Sequence, residues 1–396
     1  MRTTLTTLAL LVLAAAPAAA QGALSTQGFG YPPGQLSAHS LGTGGANGET
    51  DPQSALNPAA LADWGRAAVL FTWAPEFRRI DIGSADDRSS VSRFPLIAAA
   101  VPIGARLTLG ISASTLADRS FETSYEVTEI LNGVEVTSAE TLSGLGAIND
   151  VRLAGAWRFS PAFQVGLGVH GITGENRLTV SRTDFDDDGS SGFAQRNRVS
   201  YGGVAGSAGA MWTPVRPLTI ALSGRIGGTM RGYVNDEETT EASVPDRFGA
   251  EVRYGGFRGV VLSARTEYVN WEEMEALRDP DATPGQGLAP VAAAATQEYA
   301  LGANFQGPRA FGQIIPLRLG VRQRELPFAL GRWTGAPGSE TASYATVDET
   351  AIGGGFGIPL ARGRALADVA IQRAMRSAAE IDESAWTVAI SLTIRP

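Results

Sequence analysis

The sequence has no cysteine and only two histidines, and 18% of its residues are charged. Without cysteine there can be no disulfide framework, no thiolate nucleophile and no cysteine metal ligand. The histidines, His39 and His170, stand in no recognisable Ser/His/Asp or metal-ligand spacing. We therefore expect a protein that is not an enzyme and that holds no cofactor.

Long apolar runs are also missing. After residue 20 no segment offers 18 continuous apolar residues, and the nearest run, Leu96 to Ala105, contains Pro102. Membrane-spanning helices are not predicted, because each needs about 20 predominantly apolar residues. The net charge of −8 argues against a nucleic-acid partner, since such proteins present basic surfaces.

The first twenty residues have the features of a secretory signal peptide. Arg2 supplies a positive start, Leu8 to Ala15 an apolar stretch, and Ala18 to Ala20 a small-residue cleavage site. A membrane anchor is the competing interpretation, but the apolar run is short for a spanning helix. We expect export, with a mature chain that begins near Gln21.

What the sequence does contain is strand periodicity with two unlike faces. In Leu218–Arg231, apolar or small residues alternate with mostly polar ones, two of which are arginines. Successive side chains of a strand point to opposite faces, and a membrane β-barrel has lipid on one face and a polar lumen on the other. We expect Leu218, Ile220, Leu222, Ile226 and Met230 to face lipid, and Arg225 and Arg231 to face the lumen.

The same pattern returns up to Ile394 and predicts an all-β fold, a transmembrane antiparallel barrel of about 14 strands. The predicted strands are 67–80, 91–101, 105–116, 151–159, 163–169, 194–212, 218–230, 247–254, 260–268, 299–306, 317–324, 350–358, 364–376 and 386–394, with 134–145 extending the fourth.

The predicted connections alternate in length, which is a second signal. Short turns fall at 102–104, 160–162, 213–217, 255–258 and 359–363, with 307–314 somewhat longer, whereas longer or acidic links fall at 84–89, 184–193, 235–242, 271–297 and 328–344. Outer-membrane barrels keep short turns on the periplasmic rim and long loops outside. A soluble β-sandwich would explain the alternation but not a preferred end for the long loops.

Residues 21–65 have no strand periodicity, and no Asp, Glu, Lys or Arg occurs between Arg2 and Glu49. Such a segment could be a disordered tail, although it lacks the high charge of typical disorder. We favour a compact plug inside the barrel. The predicted organisation is a signal peptide at 1–20, an N-terminal hatch or plug at 21–65 and the barrel at 66–396.

The hatch resembles that of the FadL-type long-chain fatty acid transporters. The resemblance rests on a Gly/Ala-rich piece, Ser40 to Ala46, followed by Asp51-Pro52-Gln53-Ser54-Ala55-Leu56-Asn57-Pro58-Ala59-Ala60-Leu61 just ahead of the first strand. The family pattern is D-x-S-A-x-x-x-N-P-A-x-L, and the spacing between Asp51 and Asn57 departs from it by about one residue. The match covers roughly twenty-five residues, and the Asn-Pro-Ala core is present.

The resemblance implies a fourteen-stranded, plugged barrel in the outer membrane of a Gram-negative-type bacterium. It implies passive transport of hydrophobic or amphipathic small molecules, with fatty acids as cargo in one branch and monoaromatic hydrocarbons in another. Expected partners are outer-membrane lipid and lipopolysaccharide, the hydrophobic cargo and the barrel assembly machinery. One alternative is a PorV-like, non-transporting scaffold for protein secretion or surface attachment, and another is a general porin.

Alternation places a set of arginines toward the lumen or its rims, with Glu251, Glu267 and Asp368 on the same face. Arginine suits a carboxylate because its planar fork donates paired hydrogen bonds and stays charged. These side chains either grip the head group of an amphipathic acid or satisfy lumen carboxylates, and the second interpretation is favoured for any single arginine. The ligand-binding candidates among them are Arg152, Arg225, Arg247, Arg318 and Arg322; the others are Arg158, Arg231, Arg253, Arg265 and Arg324.

The hatch supplies the apolar candidates for cargo binding, Phe29, Tyr31, Leu36 and Leu41. Packing of the hatch against the barrel explains these four side chains equally well. Asn57 and Pro58 are expected to end or kink the hatch and to contribute to gating, because Asn bonds nearby backbone and Pro fixes φ and lacks a donor.

The acidic stretch 184–189 opens like a calcium loop, with Asp184, Asp186 and Asp188 at alternate positions and Gly189 after them. Position twelve is Gln195, where an EF-hand needs a bidentate Glu. We favour a solvated outer loop over a calcium site, so no metal is predicted.

Overall fold

The computed structural model describes residues 30–395, apart from 83–84, 132–133, 186–190, 235–236, 278–290, 311–312, 335–340 and 379–380. Within these ranges no helix is long and apolar enough to cross a membrane. The strands are β1 Ala68–Ile82, β2 Ala85–Ile103, β3 Leu107–Asp118, β4 Phe121–Leu131, β5 Val134–Ser160, β6 Phe163–Phe185, β7 Ser191–Val215, β8 Leu218–Val234, β9 Glu237–Ser243, β10 Asp246–Phe257, β11 Val260–Asn270, β12 Val291–Ala293, β13 Thr296–Ala310, β14 Gln313–Thr334, β15 Thr341–Leu360, β16 Ala365–Ala378 and β17 Ile381–Ile394.

These segments form one closed antiparallel barrel of fourteen strands. Three strands are interrupted by two residues each, so that β3 continues into β4, β9 into β10 and β12 into β13. Both halves of an interrupted strand pair with the same neighbour, which is β5, β8 and β14 respectively. The barrel closes where β1 pairs with β17, from Val69 opposite Ile394 to Ile82 opposite Ile381. The predicted fold class is confirmed.

Alternation decides which side chains face outward. On β3, Leu109 and Ile111 are 43% and 53% exposed, whereas Thr108, Ser112 and Ser114 between and beside them are buried. The exposed side chains form an apolar outer face, as lipid contact requires. The buried ones face the lumen, where polar and charged side chains meet the hatch.

The expected orientation of β8 is wrong near the C-terminal end of the strand. Leu222 and Ile226 are exposed and Arg225 is buried, but Met230 is fully buried and the Arg231 side chain is half-exposed, paired with Glu238 at 3.5 Å. The register against β7 shifts here. Gly227 and Met230 of β8 are three positions apart, but their partners on β7, Ala205 and Gly203, are only two positions apart. The extra residue of this β-bulge inverts the two faces beyond it.

Both described ends of the barrel chain lie at one rim, which we call the short-turn end. Gly104 to Arg106, Pro161–Ala162, Arg216–Pro217 and Arg258–Gly259 make tight connections there, and a 3₁₀ turn, η3 (Ala361–Gly363), makes another. The opposite rim we call the far end. Much of the predicted link sequence is strand at that rim, including Ala85–Ser89 in β2 and Glu237–Ala242 in β9. Those stretches show no apolar alternation because nearly all of their residues are polar.

The described part of the hatch, residues 30–65, runs through the lumen. It contains a four-residue helix, α1 (Ala38–Leu41), and a 3₁₀ helix, η1 (Pro58–Asp63). A second 3₁₀ helix, η2 (Trp271–Leu277), follows β11 at the far end. Residues 1–29 lie outside the described residues, so the predicted signal peptide and Phe29 stay predictions.

Among the described residues, the barrel wall is incompletely paired between β2 and β3. The ladder between β2 and β3 covers Leu96–Ile103 and Leu107–Ser114. Beyond it, toward the far end, no pairing joins the described residues of β2 to those of β3 and β4. Tyr31 of the hatch forms an antiparallel bridge with Asp118 here, through two backbone hydrogen bonds of 2.8 Å.

Candidate functional site

The Asn-Pro-Ala turn of the hatch is packed onto glycines of the barrel wall. The Asn57 side chain caps η1 by accepting a hydrogen bond from the Ala59 amide at 2.9 Å, and Pro58 takes the first helical position. A Cβ on Gly209 would lie 1.9 Å from Asn57 Oδ1, and one on Gly166 would lie 2.3 Å from the Pro58 carbonyl carbon. Inward glycines on β6 and β7 therefore allow this close approach.

Asp51 organises the middle of the hatch. Its carboxylate accepts hydrogen bonds from the hydroxyls of Ser37, Ser40 and Ser54, at 2.6, 2.8 and 2.8 Å. Burial opposes ionisation, but nearby His39 and these hydroxyls hold the pKa of Asp51 below its ordinary value. Burial lowers the pKa of the His39 imidazole, even though Asp51 acts in the opposite direction.

Two glutamates, one on β10 and one in the hatch, join the hatch to the barrel wall. Glu251 of β10 accepts hydrogen bonds from the amides of Glu49 and Thr50, both at 2.9 Å, and from the Thr50 hydroxyl at 2.7 Å. Glu49 itself is fully buried and is ion-paired to Arg247, which lies on β10 with Glu251. The hatch is thus fixed by charge-assisted hydrogen bonds as well as by packing.

A central cavity of about 60 Å³ lies between the hatch and the wall, toward the far end. Apolar side chains from the hatch and β3, Leu36, Leu56 and Leu116, form part of its lining. Five guanidinium groups share that lining, those of Arg225, Arg247, Arg265, Arg322 and Arg324. The cavity is amphipathic, but an apolar cavity that holds benzene measures about 150 Å³. In this state the cavity has room for a few water molecules only.

Above the cavity, the far end of the lumen is packed with apolar side chains. Trp271 and Met274 of η2 are buried among inward-facing residues of the far half of the wall. This far-end cluster comprises Tyr31, Leu116, Ala117, Ile148, Ile172, Tyr201, Met230, Ala242, Val244, Val269, Trp271, Met274, Leu326, Phe328, Val347 and Ala378. It is larger than the other apolar clusters inside the described lumen, and η2 packs into it through Trp271 and Met274.

Four of the five candidate arginines are ion-paired inside the barrel. Arg225 lies 3.1 Å from Asp150, Arg318 lies 2.7 Å from Asp368, and Arg322 lies 3.0 Å from Glu349. Arg247 pairs with both Glu49 and Glu267. Arg225, Arg247 and Arg322 line the central cavity, whereas Arg318 does not. Their role in ligand binding stays a prediction.

Arg152 differs from the other four arginines because it has no ion-pair partner among the described residues. Its Nε and Nη1 atoms are buried without a hydrogen-bond partner, as are Ser112 Oγ and Gln53 Oε1. All three side chains line one small cavity of about 10 Å³ near Trp64. That volume matches a single water molecule, which can donate to the Gln53 oxygen and accept from Arg152.

Tyr31 is enclosed by a cage of arginines. The Cζ atoms of Arg376, Arg93 and Arg324 lie 4.6, 4.7 and 4.9 Å from the centroid of its ring, and its hydroxyl donates to Glu349 at 2.9 Å. The cage side chains come from β2, β14, β15 and β16, and all of them are buried. The chain has no lysine, so only guanidinium groups could supply these contacts.

A hydrogen-bonded row beside the cavity was not predicted from the sequence. His170 Nε2 lies 2.8 Å from Ser207 Oγ, and His170 Nδ1 lies 2.7 Å from Asp150 Oδ1. Arg225 of β8 and Gln35 of the hatch also donate hydrogen bonds to the Asp150 carboxylate. Neither luminal cavity described above is lined by Ser207. The row therefore ties β5, β6, β7 and β8 to the hatch, and its residues converge through pairing that sequence spacing does not reveal.

The remaining candidates are placed as follows. Leu36 is buried and lines the central cavity, while Leu41 is buried against the wall at Gly353. Asp184 is in β6, but its side chain and those of Asp186 and Asp188 lie outside the described residues. No group of three or more potential ligands for a metal ion occurs in the described ranges.

A scan against protein-family models gives no match, and no curated protein matches the sequence. Solved structures do match. A FadL homologue of Pseudomonas aeruginosa has a TM-score of 0.59 at 13% identity, over 92% of this chain and 99% of the other. The chain has the FadL-type fold. The toluene transporter TbuX of Ralstonia pickettii gives 0.55 at 13% identity over 91% and 98%. The monoaromatic hydrocarbon channel CymD gives 0.53 at 14% identity over 94% and 99%.

The FadL-type fold confirms the resemblance drawn from the hatch motif at the level of architecture. The agreement extends over more than nine-tenths of this chain and nearly the whole of each matched chain. At these identities the likeness concerns the fold, and the side chains that line the lumen are this chain's own.

Proposed function

We propose that this protein is an outer-membrane channel through which hydrophobic or amphipathic small molecules pass without an energy source. The observation that carries the proposal is the central cavity, in which Leu36, Leu56 and Val269 are near the guanidinium groups of Arg322 and Arg324. Five guanidinium groups of the lining outnumber its three carboxylates, those of Glu267, Glu298 and Glu325, and this excess of positive charge suits a molecule with an apolar body and an anionic head. Long-chain fatty acids are the cargo that fits this chemistry best.

The described state is closed. The cavity of about 60 Å³ is far below the several hundred cubic ångströms of a typical ligand site. Cargo reaches it only if η2 moves away from the far-end cluster, in which Met274 is fully buried. Transport then requires a second movement, in the hatch, to release cargo beyond the cavity.

Release can be sideways as well as inward. The unpaired region between β2 and β3 is filled by Tyr31 and crossed by the ion pair of Arg93 and Asp118, at 2.5 Å. Withdrawal of residues 30–31 would leave the edges of β2 and β3 without that bridge. An amphipathic molecule could then leave the lumen at the level of the membrane.

Uptake of labelled oleate by proteoliposomes tests the function. Arg322→Gln removes a guanidinium that lines the cavity, and Arg318→Gln removes an ion-paired arginine of the same strand that does not line it. We expect uptake above that of protein-free vesicles, reduced several-fold by Arg322→Gln and little changed by Arg318→Gln. Uptake equal to that of protein-free vesicles would reject the fatty-acid cargo, and toluene uptake in the same vesicles tests the wider class.

The small size of the cavity favours a second candidate, a non-transporting scaffold for protein secretion or surface attachment. A barrel filled by its hatch and by η2 needs no open path for that role. Co-purification of a protein partner together with absence of oleate and toluene uptake would support the scaffold.

A further inference from the structure

The arginine cage around Tyr31 belongs to the barrel wall and not to the hatch. Arg93 pairs with Glu76 at 3.0 Å, while Arg324 and Arg376 each pair with Glu349 at 2.7 Å. These ion pairs join residues of separate neighbouring strands and include no atom of Tyr31. The cage therefore keeps its shape and its charge balance when Tyr31 leaves.

Tyr31 is held on a short and separable piece of the hatch. Gly30 and Tyr31 are followed by Pro32, Pro33 and Gly34, and the next residue, Gln35, is fixed independently to Asp150 and Ser114. Apart from the contacts of the Tyr31 ring and hydroxyl with the cage, the described residues hold this piece by the backbone bridge to Asp118 and by one hydrogen bond from Arg324 to the Pro32 carbonyl. Few bonds must break for the tyrosine to leave while the rest of the hatch stays bound.

The cage adjoins the central cavity. Arg324 contributes to both, and Pro32 lines the cavity one residue after Tyr31. A molecule that has reached the cavity therefore meets Arg324, whose guanidinium contacts the ring of Tyr31.

We propose that the cage is a binding site for phenols and that Tyr31 occupies it as a built-in competing ligand. The faces of an aromatic ring attract guanidinium groups, most strongly where water is excluded. The Glu349 carboxylate accepts one hydroxyl, so a ring with a hydrogen-bond donor fits and an aromatic carboxylate, which would face Glu349, does not. This inference rests on the proposed passage of small hydrophobic molecules through the lumen and names one class among them.

The test uses p-cresol, which is the tyrosine side chain cut at Cβ, with the purified full chain in detergent micelles. Tyr31→Ala empties the cage. Tyr201→Ala is the matched control, because Tyr201 is a second buried luminal tyrosine with a single arginine, Arg119, at 5.4 Å from its ring. We expect Tyr31→Ala to bind p-cresol about ten-fold more tightly than the wild type, since the built-in ligand no longer competes. We expect Tyr201→Ala to bind it no more tightly than the wild type.

A second variant opens the cage without touching the tyrosine. A Cβ on Gly30, whose φ is +93°, would lie 2.4 Å from the Asp118 carbonyl oxygen, so Gly30→Ala breaks the bridge that holds Tyr31. It should raise p-cresol affinity in the same direction as Tyr31→Ala. Toluene, which lacks the hydroxyl, should bind both variants at least about ten-fold more weakly than p-cresol.

Three results would overturn the inference. They are p-cresol binding to Tyr31→Ala that is no tighter than to Tyr201→Ala, equal binding of toluene and p-cresol to Tyr31→Ala, and no binding of millimolar p-cresol to Tyr31→Ala. Heat-modifiable migration in gels shows whether each variant is folded. Because binding needs no transport, loss of p-cresol binding with oleate uptake intact would reject the phenol site and leave the proposed function standing.

Discussion

The amide oxygen of Asn57 lies 1.9 Å from the point where a Cβ on Gly209 would stand. The Asn-Pro-Ala turn can therefore pack on the wall only because that position of β7 has no side chain. Close approach of two backbones is one of the reasons for glycine within a strand.

Gly209→Ala should loosen the hatch. The added methyl group must displace Asn57 or the wall, at a cost of about 1 to 3 kcal/mol in the free energy of unfolding. We expect a lower urea midpoint and faster proteolysis between residues 30 and 65. Gly206→Ala on the same strand is the control, because a Cβ there meets nothing within 4 Å. If the two variants behave alike, the turn does not depend on this approach.

Glu49 is expected to be the most sensitive charged residue of the hatch. Glu49→Gln leaves the buried guanidinium of Arg247 with one carboxylate instead of two, Glu267. Weakening a buried ion pair in this way costs on the order of 3 kcal/mol. Glu175→Gln, which removes an exposed partner of Arg177, should change the unfolding free energy by about 0.5 kcal/mol or less. Equal effects of the two substitutions on urea denaturation would show that Glu49 stabilises the protein no more than an exposed ion-pair partner does.

Acidification should weaken docking of the hatch through His39. Burial lowers the pKa of the docked imidazole, and the positive charges of Arg318 and Arg253 lower it further. The carboxylates of Asp51 and Asp368 act in the opposite direction but do not outweigh these effects. Below the ordinary histidine pKa of about 6.5 the released hatch binds more protons than the docked one, so docking is favoured as pH rises through this window and lost as pH falls. The hydrogen-exchange protection factors of residues 38–57, from which the pH dependence of the intrinsic exchange rate has been removed, should fall between pH 7.5 and 5.5, and His39→Gln should flatten that profile.

The cover formed by η2 should control access to the lumen. Met274 is fully buried in the far-end cluster and Ala276 of the same helix is exposed. Met274→Glu places a charge in apolar surroundings and should displace η2, whereas Ala276→Glu should not. Because the chain has no cysteine, Leu116→Cys gives a clean probe for thiol labelling. We expect labelling to accelerate at least about ten-fold with Met274→Glu, and equal rates would show that η2 does not close the lumen.

The sequence predicted the strand number and most of the outward faces because both follow from period-two alternation. Leu222 and Ile226 are exposed as expected. Alternation failed at Met230 and Arg231, where the bulge at 227–230 shifts the phase by one residue. Nothing in the local pattern marks the bulge except the pair Gly227-Gly228.

The candidate site was less predictable from the sequence. Inward arginines could be recognised one strand at a time, but their partners could not, because Arg376 meets Glu76 and Tyr31 across 300 and 345 positions of the chain. The inward glycines of β6 and β7 could have indicated where the hatch contacts the wall, but alternation alone does not identify such contacts. The Ser207–His170–Asp150 row depends on the registers of β5, β6 and β7, which sequence spacing does not encode.

The most direct measurement of the central claim is the position of a bound cargo analogue. Crystals grown with 12-bromododecanoic acid locate the tail by anomalous scattering from bromine. We expect the carboxylate to lie at Arg322 or Arg324, the chain to lie along Leu36, Leu56 and Val269, and the cavity to be enlarged well beyond about 60 Å³. Bromine found only on the outer apolar face, with the cavity unchanged, would contradict it.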